Sequence, residues 1–306
     1  MTWTSSDLTT PPLLPLGLEV LDDRFADVRG DRHVQRLFDG GRWLEGPVHV
    51  PAWRCVLFSD IPNDRVLRLD ETTGRVDVWL QPAGFHNGHS LDRAGRVLSC
   101  EQGTRGVTRV EHDGRRTVLA DRWQGGRLNS PNDVVEASDG SVWFTDPSYG
   151  IDDGYEGHPG EREVDGCHVY RVSPDGTLDV VAQDFDRPNG LAFSADESVL
   201  YVTDTGRGHV RALDVDGSSL RDRGVLAECT SGGFDGLRLD SRGRLWLAAG
   251  DGLHCLAPDG TLLGKLLLPE TTANLTFGGA RGNVLYVTAT TSLYAVMLNV
   301  TGVRRP

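Results

Sequence analysis

Arg187-Pro188-Asn189-Gly190-Leu191-Ala192-Phe193 opens a unit that runs on through a turn, Ser194-Ala195-Asp196-Glu197, into Val199-Leu200-Tyr201-Val202-Thr203-Asp204. An alternating run, His209-Val210-Arg211-Ala212-Leu213-Asp214-Val215, follows; then come an Asp216-Gly217 turn and Val225-Leu226-Ala227. Short β-branched and apolar runs separated by Gly, Asp and Ser read as four strands. The same template restarts at Asp235, with Leu237-Arg238-Leu239-Asp240, a turn at Gly243, strands over 245–249 and 252–256, a Pro258-Asp259-Gly260 turn and a strand over 262–268. It also fits from Glu45, Asn87 and Asn132 and, one strand short, from Asn274. The spacings between these starts are 42, 45, 57, 46 and 39 residues. A repeat of this length with four strands per unit is the signature of a β-propeller. The expected fold is therefore all-β, a six-bladed propeller of four-stranded blades.

The last unit lacks its fourth strand. His33-Val34-Gln35-Arg36-Leu37-Phe38, ahead of the Asp39-Gly40-Gly41 turn, supplies a candidate. An N-terminal strand that completes the last blade closes the ring and removes two free sheet edges. Residues 32–306 then form a single propeller domain, and residues 1–31 an N-terminal extension on its outside. The unit from Asn132 carries an insertion over about 150–165, rich in Gly, Asp and Glu, that belongs to a loop. With Tyr155 and His158 in it and His168 just beyond, it reads either as a lid over a site or as a plain surface loop.

The net charge of −13 over 306 residues argues against a nucleic-acid partner and gives no support for an anionic membrane surface. No stretch approaches a membrane span, and the first residues lack the basic start and apolar core of a signal peptide. The five cysteines are scattered, without a Cys-x-x-Cys pair, which fits reduced thiols and a cytoplasmic setting. Cys55, Cys100 and Cys255 lie in apolar runs, as buried small hydrophobes do. The chain has one lysine, Lys265, so Schiff-base chemistry would rest on that residue alone.

Equivalent positions of successive blades lie around one axis. The repeat therefore gathers Glu45, Asn87, Asn132, Asn189, Asp235 and Asn274 at one end of a central channel. The second strand of each unit returns to the same face and ends at Asp60, Glu101, Asp146, Asp204, Ala249 and Ala289. Carboxylates brought this close need compensation, and a divalent cation is the simplest form of it. An all-oxygen donor set favours a hard ion, calcium first, then magnesium or manganese; zinc prefers His or Cys. Against this stands ordinary turn chemistry. Asn-Gly, Asp-Gly and Pro-Asn are common turn pieces, and Asn87 and Asn274 read equally well that way. Strand-end acids such as Asp60 and Asp146 read more readily as solvated or turn-capping groups than as ligands.

The chain resembles the senescence-marker-protein (regucalcin), gluconolactonase and luciferin-regenerating-enzyme family over residues 38–298. The resemblance is carried by Leu44-Glu45-Gly46-Pro47, Leu128-Asn129-Ser130-Pro131-Asn132-Asp133, Arg187 to Ser194 and Phe234-Asp235-Gly236. Ser130-Pro131-Asn132-Asp133 and Trp143-Phe144-Thr145-Asp146-Pro147 are most similar to the bacterial gluconolactonase branch. The resemblance implies a six-bladed propeller with one divalent metal in its channel: calcium foremost, with magnesium, manganese or zinc as alternatives. It implies Glu45, Asn189 and Asp235 as ligands, Asn132 as a fourth metal or substrate contact, and hydrolysis of sugar lactones or, in relatives, of phosphotriesters. Animal members carry an arginine two residues before the amide, where this chain has Ser130. Arg127 stands nearby as a displaced substrate contact, and sugar recognition does not transfer from that branch.

The chemistry expected is polarisation of a lactone carbonyl by the metal, with Asp235 as general base for water and Asp204 in reserve. Asn87, His86 and His89 are candidate substrate or proton-shuttle groups at the channel mouth. No Gly-x-Ser-x-Gly elbow, phosphate loop or His-Glu-x-x-His occurs. Two alternatives use the same fold: hydrolysis of another ester or phosphotriester, including a biosynthetic intermediate, and calcium or ligand binding without turnover.

Overall fold

The Val-, Leu- and aromatic-rich runs form strands that are buried on both faces, because each blade is sandwiched between two others. The structure, a computed structural model, describes residues 11–303. Blade 1 is Leu44–Val50, Cys55–Asp60, Arg65–Asp70 and Val76–Leu80, and blade 2 is His86–Leu91, Val97–Glu101, Gly106–Val110 and Arg116–Ala120. Blade 3 is Val134–Glu136, Val142–Asp146, Cys167–Val172 and Leu178–Phe185. Blade 4 is Pro188–Phe193, Val199–Asp204, His209–Asp216 and Ser219–Glu228. Each is an antiparallel meander in chain order, from the channel outward. Blade 5 follows the same order from Leu237–Leu239 to Leu262–Leu267, and blade 6 supplies Thr272–Gly278, Val284–Ala289 and Ser292–Met297.

The fourth strand of blade 6 is His33–Asp39, which pairs antiparallel with Ser292–Met297 in the register Asp39↔Ser292 and Gln35↔Ala295. The ring is closed by this clasp, as the sequence predicts. The residues before it do more than run past. Leu13–Pro15 adds a fifth strand to blade 6 beyond the clasp, and Gly17–Val20 adds one to blade 5 along Leu262–Leu267. Phe25 and Val28 then bury themselves against Trp246, Leu275 and Tyr294. Residues 1–10 of the N-terminal extension lie outside the described residues.

The apolar core is divided among the seams between blades. Leu98, Cys100 and Val107 of blade 2 pack on Val134, Phe144 and Tyr170 of blade 3. Trp143 and Val169 of blade 3 meet Leu191, Leu200 and Val202 of blade 4 on its other side. Val56, Phe58 and Leu67 of blade 1 meet Tyr286 and Leu293 of blade 6, so the first and last units share a seam like any other pair. Cys55, Cys100, Cys167 and Cys255 are buried and unpaired. Among the described residues, no helix is long and apolar enough to cross a membrane.

Candidate active site

The inner strands begin irregularly, and that irregularity builds the site. Their ladders slip between Glu45 and Val48, between His86 and His89, and between Pro188 and Leu191. A slip of this kind bends a strand and re-aims its side chains, here at the residues that the repeat places around the channel. The glycine after each of four ring residues has a steric cause. A Cβ on Gly46 would stand 2.0 Å from the Asn87 carbonyl oxygen, one on Gly88 2.4 Å from that of Asn132, and one on Gly190 2.7 Å from that of Asp235. On Gly236 it would meet the Asn274 side chain at 2.2 Å. Only Gly46 of these needs a positive φ (52°). The Asn-Gly and Asp-Gly pairs therefore let neighbouring inner strands close around the axis; they are not turns.

Two side chains at the end of the second strand of blades 1, 3 and 4 hold this ring. A hydroxyl ties the next blade: Ser59 Oγ donates to the Asn87 carbonyl at 2.8 Å, Thr145 Oγ1 to that of Asn189 at 2.6 Å, and Thr203 Oγ1 to that of Asp235 at 2.7 Å. The carboxylate that follows ties the loop leading into its own blade. Asp146 accepts the Asn129 and Ser130 N–H groups at 2.8 Å each, and Asp204 those of Asp186 and Arg187 at 3.0 and 2.9 Å. Asp60 accepts the Arg42 N–H at 3.0 Å. In blade 5, where Ala249 replaces the acid, Thr272 Oγ1 accepts the Ala249 N–H and donates to carbonyls of the same turn.

These constraints converge on a cavity of about 330 Å³ at one end of the channel. Glu45, Asn87, Asn132, Asn189 and Asp235 line it, with Trp43, Tyr149, Glu156, Thr205 and Thr272 around them. Glu45, Asn87, Asn132 and Asn189 are buried, and Asp235 is partly buried with its Oδ1 enclosed. Burial, and then the Asp235 charge, push the Glu45 carboxyl well above its ordinary range, and the Gly46 N–H at 2.8 Å offsets only part of this. Burial, and then the Glu156 charge, do the same to Asp235. Glu156 is itself pushed up to about 7, by burial first and the Asp153 charge second. The Tyr149 phenol is raised by burial and the Asp235 charge, so it stays protonated and can donate a hydrogen bond.

The donor set fits a hard cation. Asn189 Oδ1, Asp235 Oδ1 and Asn87 Oδ1 are buried without a hydrogen-bond partner. Buried polar atoms are rarely left so, and a positive ion would satisfy oxygens of two carboxylates and neighbouring amides at once. Among the described residues no cluster of three or more His, Cys, Asp or Glu side chains is arranged to hold a metal. The set around this cavity is two carboxylates with amides, which suits calcium better than zinc. Beneath it lies a fixed cation: Arg238 Nη1 reaches the fully buried Asp133 at 2.9 Å across the channel. Beyond that pair the channel opens at its other end into a hollow of about 430 Å³ lined by His49, His89, Phe193, Arg238 and Phe277 among others, with no carboxylate in its walls.

Several residues expected at the mouth lie elsewhere. Asp204 does not line the cavity; its two oxygens are taken by backbone N–H groups, and it acts as a loop staple. Asp60, Glu101 and Asp146 are likewise committed to loops and neighbouring side chains, Glu101 to Thr104, Thr108 and Arg116. His86 is buried 3.2 Å from the Glu101 carboxylate, and His89 is held between Ser59 and Ser99 at 2.9 and 2.8 Å. Burial keeps the His89 pKa well below the ordinary imidazole value, so it is neutral at pH 7. Neither histidine borders the site: across the slip in their strand Asn87 meets the cavity, while His86 lies against Glu101 and His89 faces the hollow at the other end of the channel. Arg127 sits in a small ribbon with its N–H on Glu163 and its guanidinium near the Thr104 carbonyl. Asn274 is buried, with Oδ1 on the Leu275 N–H, outside the cavity lining. Sequence reasoning missed Glu156, Tyr149, Trp43 and the Asp133–Arg238 pair. Arg238 left a signal, a charge in an inner strand where blade 4 has Ala192; Glu156 left none, since the insertion has no counterpart in other blades.

Residues 43–291 match the SMP-30/Gluconolactonase/LRE-like region family. A gluconolactonase from Zymomonas mobilis is 33% identical over 288 residues, covering 85% of this chain and 80% of its own length. The pentonolactonase XacC of Haloferax volcanii is 31% identical over 83% of this chain and 84% of its own. The solved structure of a gluconolactonase from Xanthomonas campestris superposes with a TM-score of 0.89 at 38% identity, over 95% of this chain and 99% of that one.

Proposed function

Because the chain belongs to the SMP-30/Gluconolactonase/LRE-like family and is a lactonase-type hydrolase, we propose that it opens sugar lactones in the Glu45–Asn132–Asn189–Asp235 cavity with the help of one divalent cation. The observation that carries this reading is that the Glu45 and Asp235 carboxylates line one cavity in which Asn189 Oδ1 and Asp235 Oδ1 are buried without a partner. Glu45, Asn132, Asn189 and Asp235 would hold the ion, calcium by the hardness of their oxygens. When bound, a divalent ion supplies Lewis-acid polarisation of the lactone carbonyl and charge stabilisation for the oxygen that becomes anionic.

The residues do the rest. Asp235 accepts a proton from the water that attacks the carbonyl carbon. The bond between that carbon and the ring oxygen breaks, and the ring oxygen takes the proton from Asp235 to become the hydroxyl of the product acid, which regenerates the base. Asn132 and Asn87 offer amide groups to the bound lactone, and the Tyr149 phenol remains a donor. Trp43 and Tyr149 give the cavity apolar walls that limit bulk water around the carbonyl. Arg238 compensates Asp133, whose charge otherwise adds to that of Glu45 and Asp235.

The test is hydrolysis of D-glucono-1,5-lactone by purified protein, with calcium titrated by calorimetry. Asp235→Ala and Glu45→Gln are expected to abolish both calcium binding and turnover, and chelation of wild-type protein to remove activity that added calcium or manganese restores. Full activity in metal-stripped protein would falsify the cation's role. Calcium binding without turnover on any lactone would leave a binding module in place of an enzyme.

A further inference from the structure

The insertion of blade 3 leaves the cavity and returns to it. Tyr149 and Glu156 both line the site, while Asp152, Asp153 and Tyr155 between them are exposed. The segment is tied down on both sides. His158 N–H bonds the Gly150 carbonyl at 2.9 Å, and Gly160 N–H the Ile151 carbonyl at 3.0 Å. Across the mouth, the Tyr155 hydroxyl reaches the Arg42 carbonyl at 3.2 Å, with the Arg42 guanidinium over its ring. Arg187, in the loop before blade 4, pairs with Asp152 at 3.0 Å and lies 4.7 Å above the Tyr149 ring. A Cβ on Gly157 would stand 2.2 Å from the Gly150 carbonyl oxygen, so the turn after Glu156 closes tightly onto the short helix Tyr149–Asp152. Glu156 is thereby presented to the cavity by a braced strap.

Glu156 is also the carboxylate of this cavity that does not come from the ring. Behind it lies Gln102, fully buried, whose amide approaches the same carboxyl but makes no hydrogen bond of normal geometry. Gln102 thus leaves a buried amide N–H and C=O behind Glu156 with no protein partner. The ring oxygens are committed to the cation and the reacting carbonyl. A sugar lactone brings several further hydroxyls into the cavity, and each needs a partner once water is excluded.

We propose that Glu156 is a specificity-determining residue that binds the hydroxyls of a polyhydroxylated lactone. This rests on the lactonase reading for its substrate, and it goes beyond that reading in naming the group that separates sugar lactones from plain ones. A carboxylate accepts two hydroxyl hydrogen bonds, a match to a vicinal diol. A site built to bond hydroxyls discriminates against the analogue lacking them, because its own polar groups are then left unpaired.

The experiment compares kcat/KM on D-glucono-1,5-lactone and on δ-valerolactone, which lacks hydroxyls, for wild type, Glu156→Ala and Glu156→Gln at saturating calcium. The ratio of the two values is expected to fall about tenfold or more in Glu156→Ala, chiefly through KM for the sugar lactone, and less in Glu156→Gln. A purely structural strap residue lowers both values together and leaves the ratio unchanged, and that result overturns the proposal. Calorimetric binding of 1,5-anhydro-D-glucitol, which has ring hydroxyls but no carbonyl, separates this outcome from failure of the lactonase reading. If wild type hydrolyses neither lactone yet binds the anhydroglucitol in a manner lost with Glu156→Ala, the lactonase reading fails and the Glu156 assignment stands. If wild type does not bind the anhydroglucitol, or binds it regardless of residue 156, the assignment fails.

Discussion

Gly190 shows how little slack the ring has. A methyl group there would press on the Asp235 carbonyl oxygen and the Gly236 Cα, both at 2.7 Å, and these are backbone atoms that cannot swing aside. Gly190→Ala is expected to cost about 1–3 kcal/mol in urea unfolding, the usual range for overpacking. It should also weaken calcium binding, since it pushes Asn189 and Asp235 apart. If calorimetry shows unchanged calcium affinity, the two inner strands are not coupled through this contact. The same glycine shows where sequence reading stops. Asn-Gly is read equally well as a turn or as a ring position, because both uses favour a residue without a side chain. Only the neighbouring strand, far away in sequence, decides between them. His86 and His89 flank Asn87 in sequence, and the slip in their strand decides which of the three meets the cavity.

At the scale of the element, the end of the second strand in blades 1, 3 and 4 works as a two-residue unit, a hydroxyl for the next blade and a carboxylate for its own loop. Following strand direction along the sequence correctly places Asp60, Glu101, Asp146 and Asp204 on one face. It does not reveal their job, because it does not show that free N–H groups of the preceding loops already wait beside them. Asp204→Asn tests the distinction. As a staple for the Asp186–Arg187 loop, Asp204 positions Asn189, and its loss is expected to weaken calcium binding by about tenfold to a hundredfold, as second-layer changes do. The shape of the pH–rate profile should be retained. Loss of the acidic limb of that profile, with calcium affinity intact, would instead make Asp204 the base. Blade templates are legible because they repeat. The strap that carries Glu156 occurs once, and nothing in its Gly- and Asp-rich composition signals a side chain aimed inward.

For the molecule as a whole, closure depends on His33–Asp39 pairing with Ser292–Met297. That pairing is legible because a missing strand at one end and a spare one at the other demand each other; the added strands Leu13–Pro15 and Gly17–Val20 answer no such vacancy. Removing residues 1–39 would bare the Ser292–Met297 edge and the outer edge of blade 5. The truncated protein is expected to aggregate on concentration in light scattering, as exposed edges do. A monodisperse truncation product would show that blade 6 tolerates an open edge. The clasp also bears on the order of events during synthesis. Asp39 leaves the ribosome long before Ser292 exists, so blades can form one by one while the ring stays open. The Glu45 blade and the Asp235 blade then acquire a common axis only at the final pairing. The clasp contact has one of the largest sequence separations in the chain, and such contacts form slowly. Refolding monitored by calcium binding should therefore lag behind refolding monitored by strand content.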